Sequence, residues 1–236
     1  MEVILADYLG FCYGVKRAIH LARSSAQPGP ASTLGPIIHN PQMVSRLADE
    51  GVDAVDSLAK VPGGGTVIIR SHGVGPHVYD EAGERDLHIV DATCPHVKKA
   101  QMAAHQLFKD GREVVIIGEK KHPEVKSIFE WSGRNAVVVE TEEEAKELPP
   151  CDKLGIVAQT TFSGDKFRNI VNCLLEKSND IHIVRTICTA TDQRQKAAID
   201  LAGKVDMMLV IGGKNSANTS RLAQICATKC KTYHIE

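Results

Sequence analysis

Short apolar runs recur along this chain, separated by polar stretches with a helical rhythm. Runs rich in β-branched residues stand at 3–6 (VILA), 66–70 (TVIIR), 88–92 (HIVDA), 114–118 (VVIIG), 136–140 (AVVVE), 155–158 (GIVA), 181–185 (IHIVR) and 207–212 (MMLVIG). Their length and composition predict strands, and the closing KTYHIE reads as one more. Between them, apolar positions step by three and four. Val97, Ala100, Ala104, Leu107 and Phe108 mark one such helix. Pro95 suits its first position and Gly111 the residue past its end. VPGGGT at 61–66 reads as a turn. Strands alternating with helices predict an α/β fold with mostly parallel sheets.

The pattern repeats. Three strand ends run into a cysteine and then a helix: LGFCYGVKRAI, VDATCPHVKKA and VRTICTATDQRQKAA. Each is followed by another strand and a Gly-started polar loop that opens a second helix: GPIIHNPQMV, GEKKHPEVKSI and GGKNSANTSRL. The spacings agree: Cys12 to His39 is 27 residues, Cys94 to His122 is 28 and Cys188 to Ser216 is 28. In the first two units a later strand ends in a further polar loop, RSHGVGP or AQTTFSG. That sets His72 60 residues after Cys12 and Thr160 66 after Cys94. Three pseudo-repeated α/β units follow: 13–93, 94–187, and 188–236 together with 1–12. The run at 2–6 would supply the third unit's last strand, since it leads into Cys12. Only 48 residues follow Cys188, against 82 from Cys12 to Cys94. A third counterpart of the RSHGVGP loop is missing, so the chain is expected to lack some tens of residues beyond Glu236.

At 236 residues the chain can bury a large core. A net charge of −1 argues against a nucleic-acid or anionic-membrane surface. No apolar run reaches membrane-spanning length, and the N-terminus has neither a signal nor a transit pattern. A cytoplasmic protein is expected, and a monomer, since no interface-like patch is evident. Seven cysteines, an odd number with no C-x-x-C, argue against a disulfide framework or a zinc knuckle. Cys151, Cys173, Cys226 and Cys230 read as structural.

Cys12, Cys94 and Cys188 are different. One of them alone would most simply be a buried core thiol. Three at the same strand-to-helix turn point to a shared centre, because ligands in parallel sheets sit outside the carboxyl ends of strands. Three thiolates leave one position open, on a catalytic zinc with bound water or on a cubane iron–sulfur cluster. The spacing does not choose between them. Helix N-termini favour such anionic groups. His39, His72, His122, Ser216 and Asn218 are polar donors at strand ends or helix starts, two of them marked by Pro41 and Pro123. Together they can cradle a phosphate without a basic patch. Glu124, two residues after His122, reads as a proton donor or as a first-turn glutamate that complements the helix dipole. No G-x-G-x-x-G is present, and GGKNS lacks the leading glycine of a P-loop, since Met208 stands there.

The motifs GFCYGVKRA, TLGPIIHNP, IIRSHG, DATCP, KKHPEV, AQTT, TIC-x-AT-x-x-RQ and IGGKNS-x-N-T run in this order from residue 10 to the end. This set resembles the 4-hydroxy-3-methylbut-2-enyl diphosphate reductase family of the non-mevalonate isoprenoid pathway. The resemblance implies a trefoil of three α/β domains around one [4Fe–4S] cluster held by Cys12, Cys94 and Cys188. It implies reductive dehydroxylation to isopentenyl and dimethylallyl diphosphate, with the substrate hydroxyl at the open iron. His39, His72, His122, Ser216 and Asn218 would hold the diphosphate. Glu124 would deliver protons, and Thr160 would orient the hydroxyl and relay protons to it. A ferredoxin or flavodoxin would donate electrons. Ala217 departs from the pattern, standing where many members have a second serine. The family also continues past position 236 to a Gly-Ala-Ser loop whose serine contacts the diphosphate, which is the third loop that the repeat asks for. A Cys₃ zinc-dependent hydrolase and a non-enzymatic iron–sulfur sensor are the readings from other classes, separable by metal content and oxygen sensitivity.

Overall fold

The computed structural model describes residues 2–26 and 31–236. Met1, given above to the third unit, and residues 27–30, in the first, lie outside the described residues. The chain runs α1 (Tyr13–Ala26), β1 (Ala31–Leu34), α2 (Pro41–Asp49), β2 (Val52–Val55), β3 (Thr66–Ile69), α3 (Pro76–Glu84), β4 (His88–Asp91). It continues α4 (Pro95–Lys109), β5 (Glu113–Ile117), α5 (Pro123–Trp131), β6 (Ala136–Val139), α6 (Glu142–Glu147), β7 (Lys153–Ala158), α7 (Gly164–Leu174), β8 (Asp180–Ile183). It closes with α8 (Thr189–Ala202), β9 (Met207–Ile211), α9 (Ala217–Ala227) and β10 (Lys231–Ile235).

The repeat in the sequence is a repeat in topology. One sheet has the order β2-β1-β3-β4 and the next β6-β5-β7-β8, and every pair is parallel. The third sheet pairs β10 with β9, again in parallel, as β2 pairs with β1. Each unit opens on the helix that follows one of the three cysteines.

The second sheet shows how the pattern packs. Val114 and Ile116 face Ala100, Ala104 and Leu107 of α4 and Val125 and Ile128 of α5. Val115 and Ile117 face the opposite way, onto Phe167, Ile170 and Leu174 of α7. Alternate residues thus bury on both faces, which is why the run VVII is continuously apolar. The third sheet buries one face only. Met208 and Val210 pack against Ala198, Ala202 and Cys226, while Met207, Leu209 and Ile211 face outward. The four thiols read as structural do pack against these cores: Cys151 and Cys173 in the second unit, Cys226 and Cys230 in the third.

Three local expectations need correction. Residues 2–6 form no strand, and Val3 and Leu5 are 76% and 73% exposed. A strand needs a ladder partner for its N–H and C=O groups. In the first two sheets the edge strands β4 and β8 pair with β3 and β7; the described residues hold no such strand beside β9. Two strands carry no apolar run in the sequence, although the repeat itself calls for a strand just before the Gly35 loop, where β1 lies. ASTL (β1) is polar and short, and VDAV (β2) exposes its Asp and Ala; tertiary pairing beside β3 makes strands of both. On α4, Phe108 lies outside the buried stripe with its ring over Gly133, and Gln101 takes an inner place at 2% exposure, donating to Ser127 Oγ at 3.1 Å.

No helix among the described residues is long and apolar enough to cross a membrane.

Candidate functional site

The three cysteines stand where the repeat set them. Cys12 immediately precedes α1, and Cys94 and Cys188 are the N-cap residues of α4 and α8. All three are half-buried. Pro95 opens α4 and Gly111 follows its end with φ +72°. Cys188 Sγ accepts the Thr191 N–H at 3.3 Å and lies 2.9 Å from Thr191 Oγ1. The first turn of α1 packs directly on Cys94: a β-carbon built at Gly14 would fall 2.5 Å from its sulfur. Burial pushes the Cys94 thiol up, the His96 and Val97 N–H groups pull it back, and Cys12 and Cys188 add to the rise. The three thiols therefore share one electrostatic neighbourhood.

Two arginines far away in sequence brace two of these turns. Arg17, on α1, donates to Thr93 O at 3.2 Å and to Asp91 O at 3.3 Å, bracing the turn that carries Cys94. Arg194, on α8, donates to Gly10 O at 2.9 Å, bracing the turn that carries Cys12. The cysteine turns are also fastened to the polar loops: Cys94 N–H donates to Ser71 O and Cys188 N–H to Thr160 O, each at 3.0 Å. Each bond contributes about 1 kcal/mol net. Arg17→Met is accordingly expected to lower unfolding free energy by about 1–2 kcal/mol and to speed labelling of Cys94 by a thiol reagent in metal-free protein. Unchanged labelling would contradict the clamp.

His39, His72 and His122 converge. Ring centroids lie 4.3 Å apart for His39–His72, 5.4 Å for His39–His122 and 5.5 Å for His72–His122. One ring nitrogen from each lies within 4.8 Å of the others. His122 caps α5, its Nδ1 accepting the Glu124 N–H at 3.1 Å, so its proton sits on Nε2. Burial holds all three imidazoles below their ordinary value, with His122 at about 4 and the Arg70 charge adding to each shift. They are neutral near pH 7. His39 Nε2 and His72 Nδ1 are buried without a protein partner. A cleft of about 560 Å³ opens beside His39 and His122, walled also by Lys120, Lys121 and Asn215.

Glu124 is 2% exposed and spends both oxygens on Thr160. Oε1 accepts the Thr160 N–H at 2.6 Å and Oε2 the hydroxyl at 3.0 Å. Burial raises its carboxyl to about 7 against the pull of those two bonds. The Thr160 carbonyl accepts from Cys188 N–H and from Thr191 Oγ1, so the acid is two residues away from the third cysteine turn by hydrogen bonds.

The third unit reaches the cleft through its Gly-rich loop. Gly213 lies against the His39 carbonyl, where a β-carbon would fall 2.6 Å from the oxygen. Ser216 caps α9, accepting from Thr219 N at 3.3 Å, and Asn218 follows in the first turn. The cleft wall itself is Asn215, which the sequence reading passed over. It passed over Arg70 and Ser127 too. Ser127 Oγ bridges the His72 carbonyl at 3.0 Å and the Glu124 carbonyl at 2.8 Å, linking the two loops.

Three quasi-repeated parallel α/β units whose strand ends carry thiols, imidazoles and one buried acid define an α/β protein with a polar, thiol-bearing candidate site. Its family follows from comparison. The family model for LytB protein matches residues 3–236. The 4-hydroxy-3-methylbut-2-enyl diphosphate reductases of Geobacter sp. (strain M21) and Geobacter metallireducens are 48% and 49% identical over 238 aligned positions, covering all of this chain and 84% of each relative. A solved (E)-4-hydroxy-3-methyl-but-2-enyl diphosphate reductase, the terminal enzyme of the non-mevalonate pathway, is 43% identical with a TM-score of 0.77, over 99% of this chain and 85% of that one. The E-1-hydroxy-2-methyl-but-2-enyl-4-diphosphate reductase from Plasmodium falciparum is 29% identical with a TM-score of 0.91, over 98% and 74%. The chain belongs to the LytB protein family and is an oxidoreductase of that family. The resemblance drawn from the motifs is borne out, and a trefoil of three α/β units agrees with those structures.

Proposed function

We propose that the chain removes the hydroxyl of 4-hydroxy-3-methylbut-2-enyl diphosphate reductively, giving isopentenyl and dimethylallyl diphosphate, with a [4Fe–4S] cluster on Cys12, Cys94 and Cys188. The observation that carries this reading is the buried Glu124–Thr160 pair, poised near pH 7 and bonded to a cysteine turn beside neutral histidines.

The donor set fits the cluster. Its three thiols cap or precede helices, whose N–H groups stabilise anionic ligands. When bound, the cluster supplies electrons and a Lewis-acidic iron at the substrate hydroxyl.

The chain's own residues do the rest. Neutral imidazoles of His39, His72 and His122 donate N–H groups to phosphoryl oxygens, with Ser216 and Asn218 adding donors from the third unit. The N-termini of α2 and α5, each opened by a proline, add backbone dipoles. Glu124, protonated up to about pH 7, delivers the proton with which the hydroxyl leaves as water. Thr160, held by Glu124, orients that hydroxyl and relays the proton. Overall, the alcohol takes two electrons and two protons and yields the alkene and water. A ferredoxin or flavodoxin supplies the electrons.

The test is turnover under argon with reduced viologen as electron source. The reading predicts viologen oxidation that depends on substrate, two electrons per product, and both isomers. Substrate loss with release of phosphate and no viologen oxidation would favour a zinc hydrolase instead.

A further inference from the structure

Arg70 leaves β3 and directly precedes the Ser71–His72 turn. Its side chain lies across the backbone of Gly35, at the start of the loop that leads to His39. Gly35 has φ +73°, and a β-carbon there would fall 2.7 Å from Arg70 Nη1. Glycine therefore both makes that turn and leaves room for the guanidinium. Arg70 is half-buried, its Nε is buried without a hydrogen-bond partner, and no carboxylate among the described residues pairs with it. Its charge is felt at His39, His72 and His122 alike. Burying a charge without a counter-ion is costly. Here the groups that its charge reaches are three imidazoles that carry no charge of their own, two of which, His39 and His122, line a cleft large enough for a small anion.

We infer that Arg70 is a further determinant of diphosphate binding, supplying from behind His39, His72 and His122 the fixed positive charge that this cluster otherwise lacks. The inference rests on reading the cluster as the diphosphate site. Arg70 does not line the cleft, so it acts through the histidines and through the field it sets up, as a positioning residue. It also suppresses protonation of the imidazoles, so binding draws on a charge that does not titrate rather than on ones that do. The other charged groups lining the cleft are Glu119, Lys120, Lys121 and Glu140.

The experiment compares the full chain with Arg70→Met and Arg70→Lys. Inorganic pyrophosphate affinity is measured by calorimetry and KM and kcat by viologen-coupled turnover, between pH 6 and pH 8.5. Ratios of variant to parent at each pH cancel the titration of the anion itself. At pH 8, Arg70→Met is expected to weaken pyrophosphate binding and raise KM by about tenfold or more, with kcat changed far less. Arg70→Lys recovers most of the affinity, and it carries the test if the methionine variant fails to fold. Unchanged affinity at pH 8, or a deficit that Arg70→Lys does not recover, overturns the inference and leaves Arg70 a prop for the Gly35 turn. A parent protein that reduces nothing and binds no pyrophosphate overturns the diphosphate reading itself, which is a distinct outcome.

Discussion

Glu124→Gln is expected to cut kcat by about 10²–10⁴-fold while leaving iron and sulfide content unchanged. Glutamine matches glutamate in size and can still accept one bond from Thr160, but it has no proton to give. The pH behaviour sharpens the expectation. Burial raises this carboxyl from 4.5 to about 7, so the acid form prevails below neutrality and is lost above it. In the parent enzyme kcat should fall above about pH 7 as one group ionises, and the residual activity of Glu124→Gln should show no such limb. Stability moves in the opposite sense. A carboxyl whose folded value is raised stabilises the fold fully at pH below 4.5, and that contribution is lost as pH rises through about 7. Keeping the buried group ionised above neutrality therefore costs about 3 kcal/mol. Glu124→Gln, free of that cost, should melt at a higher temperature than the parent at pH 8 while being nearly inactive. Undiminished turnover would remove Glu124 from the chemistry, and loss of iron would make it a structural residue.

The second large effect is expected at Gly14. A β-carbon there would sit 2.5 Å from Cys94 Sγ, closer than real contacts come, and a tight 3.3 Å from its Cβ. Either α1 must move away from the Cys94 turn or the thiol must rotate out of its place. Overpacking of this kind costs about 1–3 kcal/mol, which a chain of this size survives. The thiol arrangement does not. Gly14→Val should fold, with near-parent circular dichroism, yet retain less than about a tenth of the parent's iron after anaerobic reconstitution. Alanine should show a milder loss. A valine variant with full iron would mean that Cys94 Sγ holds no ligand position that α1 constrains.

The site was legible in the sequence where chemistry is written into a repeat. Cys12, Cys94 and Cys188 recur at one kind of turn, and a turn repeated three times in parallel sheets must be brought to a shared face. His122 and Ser216 precede helices, and helix capping is local chemistry. What the sequence hid depends on the third dimension. Arg70 sits between an apolar strand and a polar turn, where an arginine usually points into solvent; only the glycine opposite it, 35 residues earlier, lets it lie inward. Asn215 stands one residue before the serine that caps α9, and which of the two faces the cleft depends on how the loop meets His39. The strands β1 and β2 carry almost no strand signal, and partners alone make them strands. The run at 2–6 is the reverse case, with a strong signal and no ladder to join among the described residues.

Metal analysis of anaerobically purified protein tests the central claim most directly. A brown protein with about four iron and four sulfide per chain is expected, bleached by air and reduced to background in Cys94→Ser. A colourless, air-stable protein carrying one zinc per chain would contradict it.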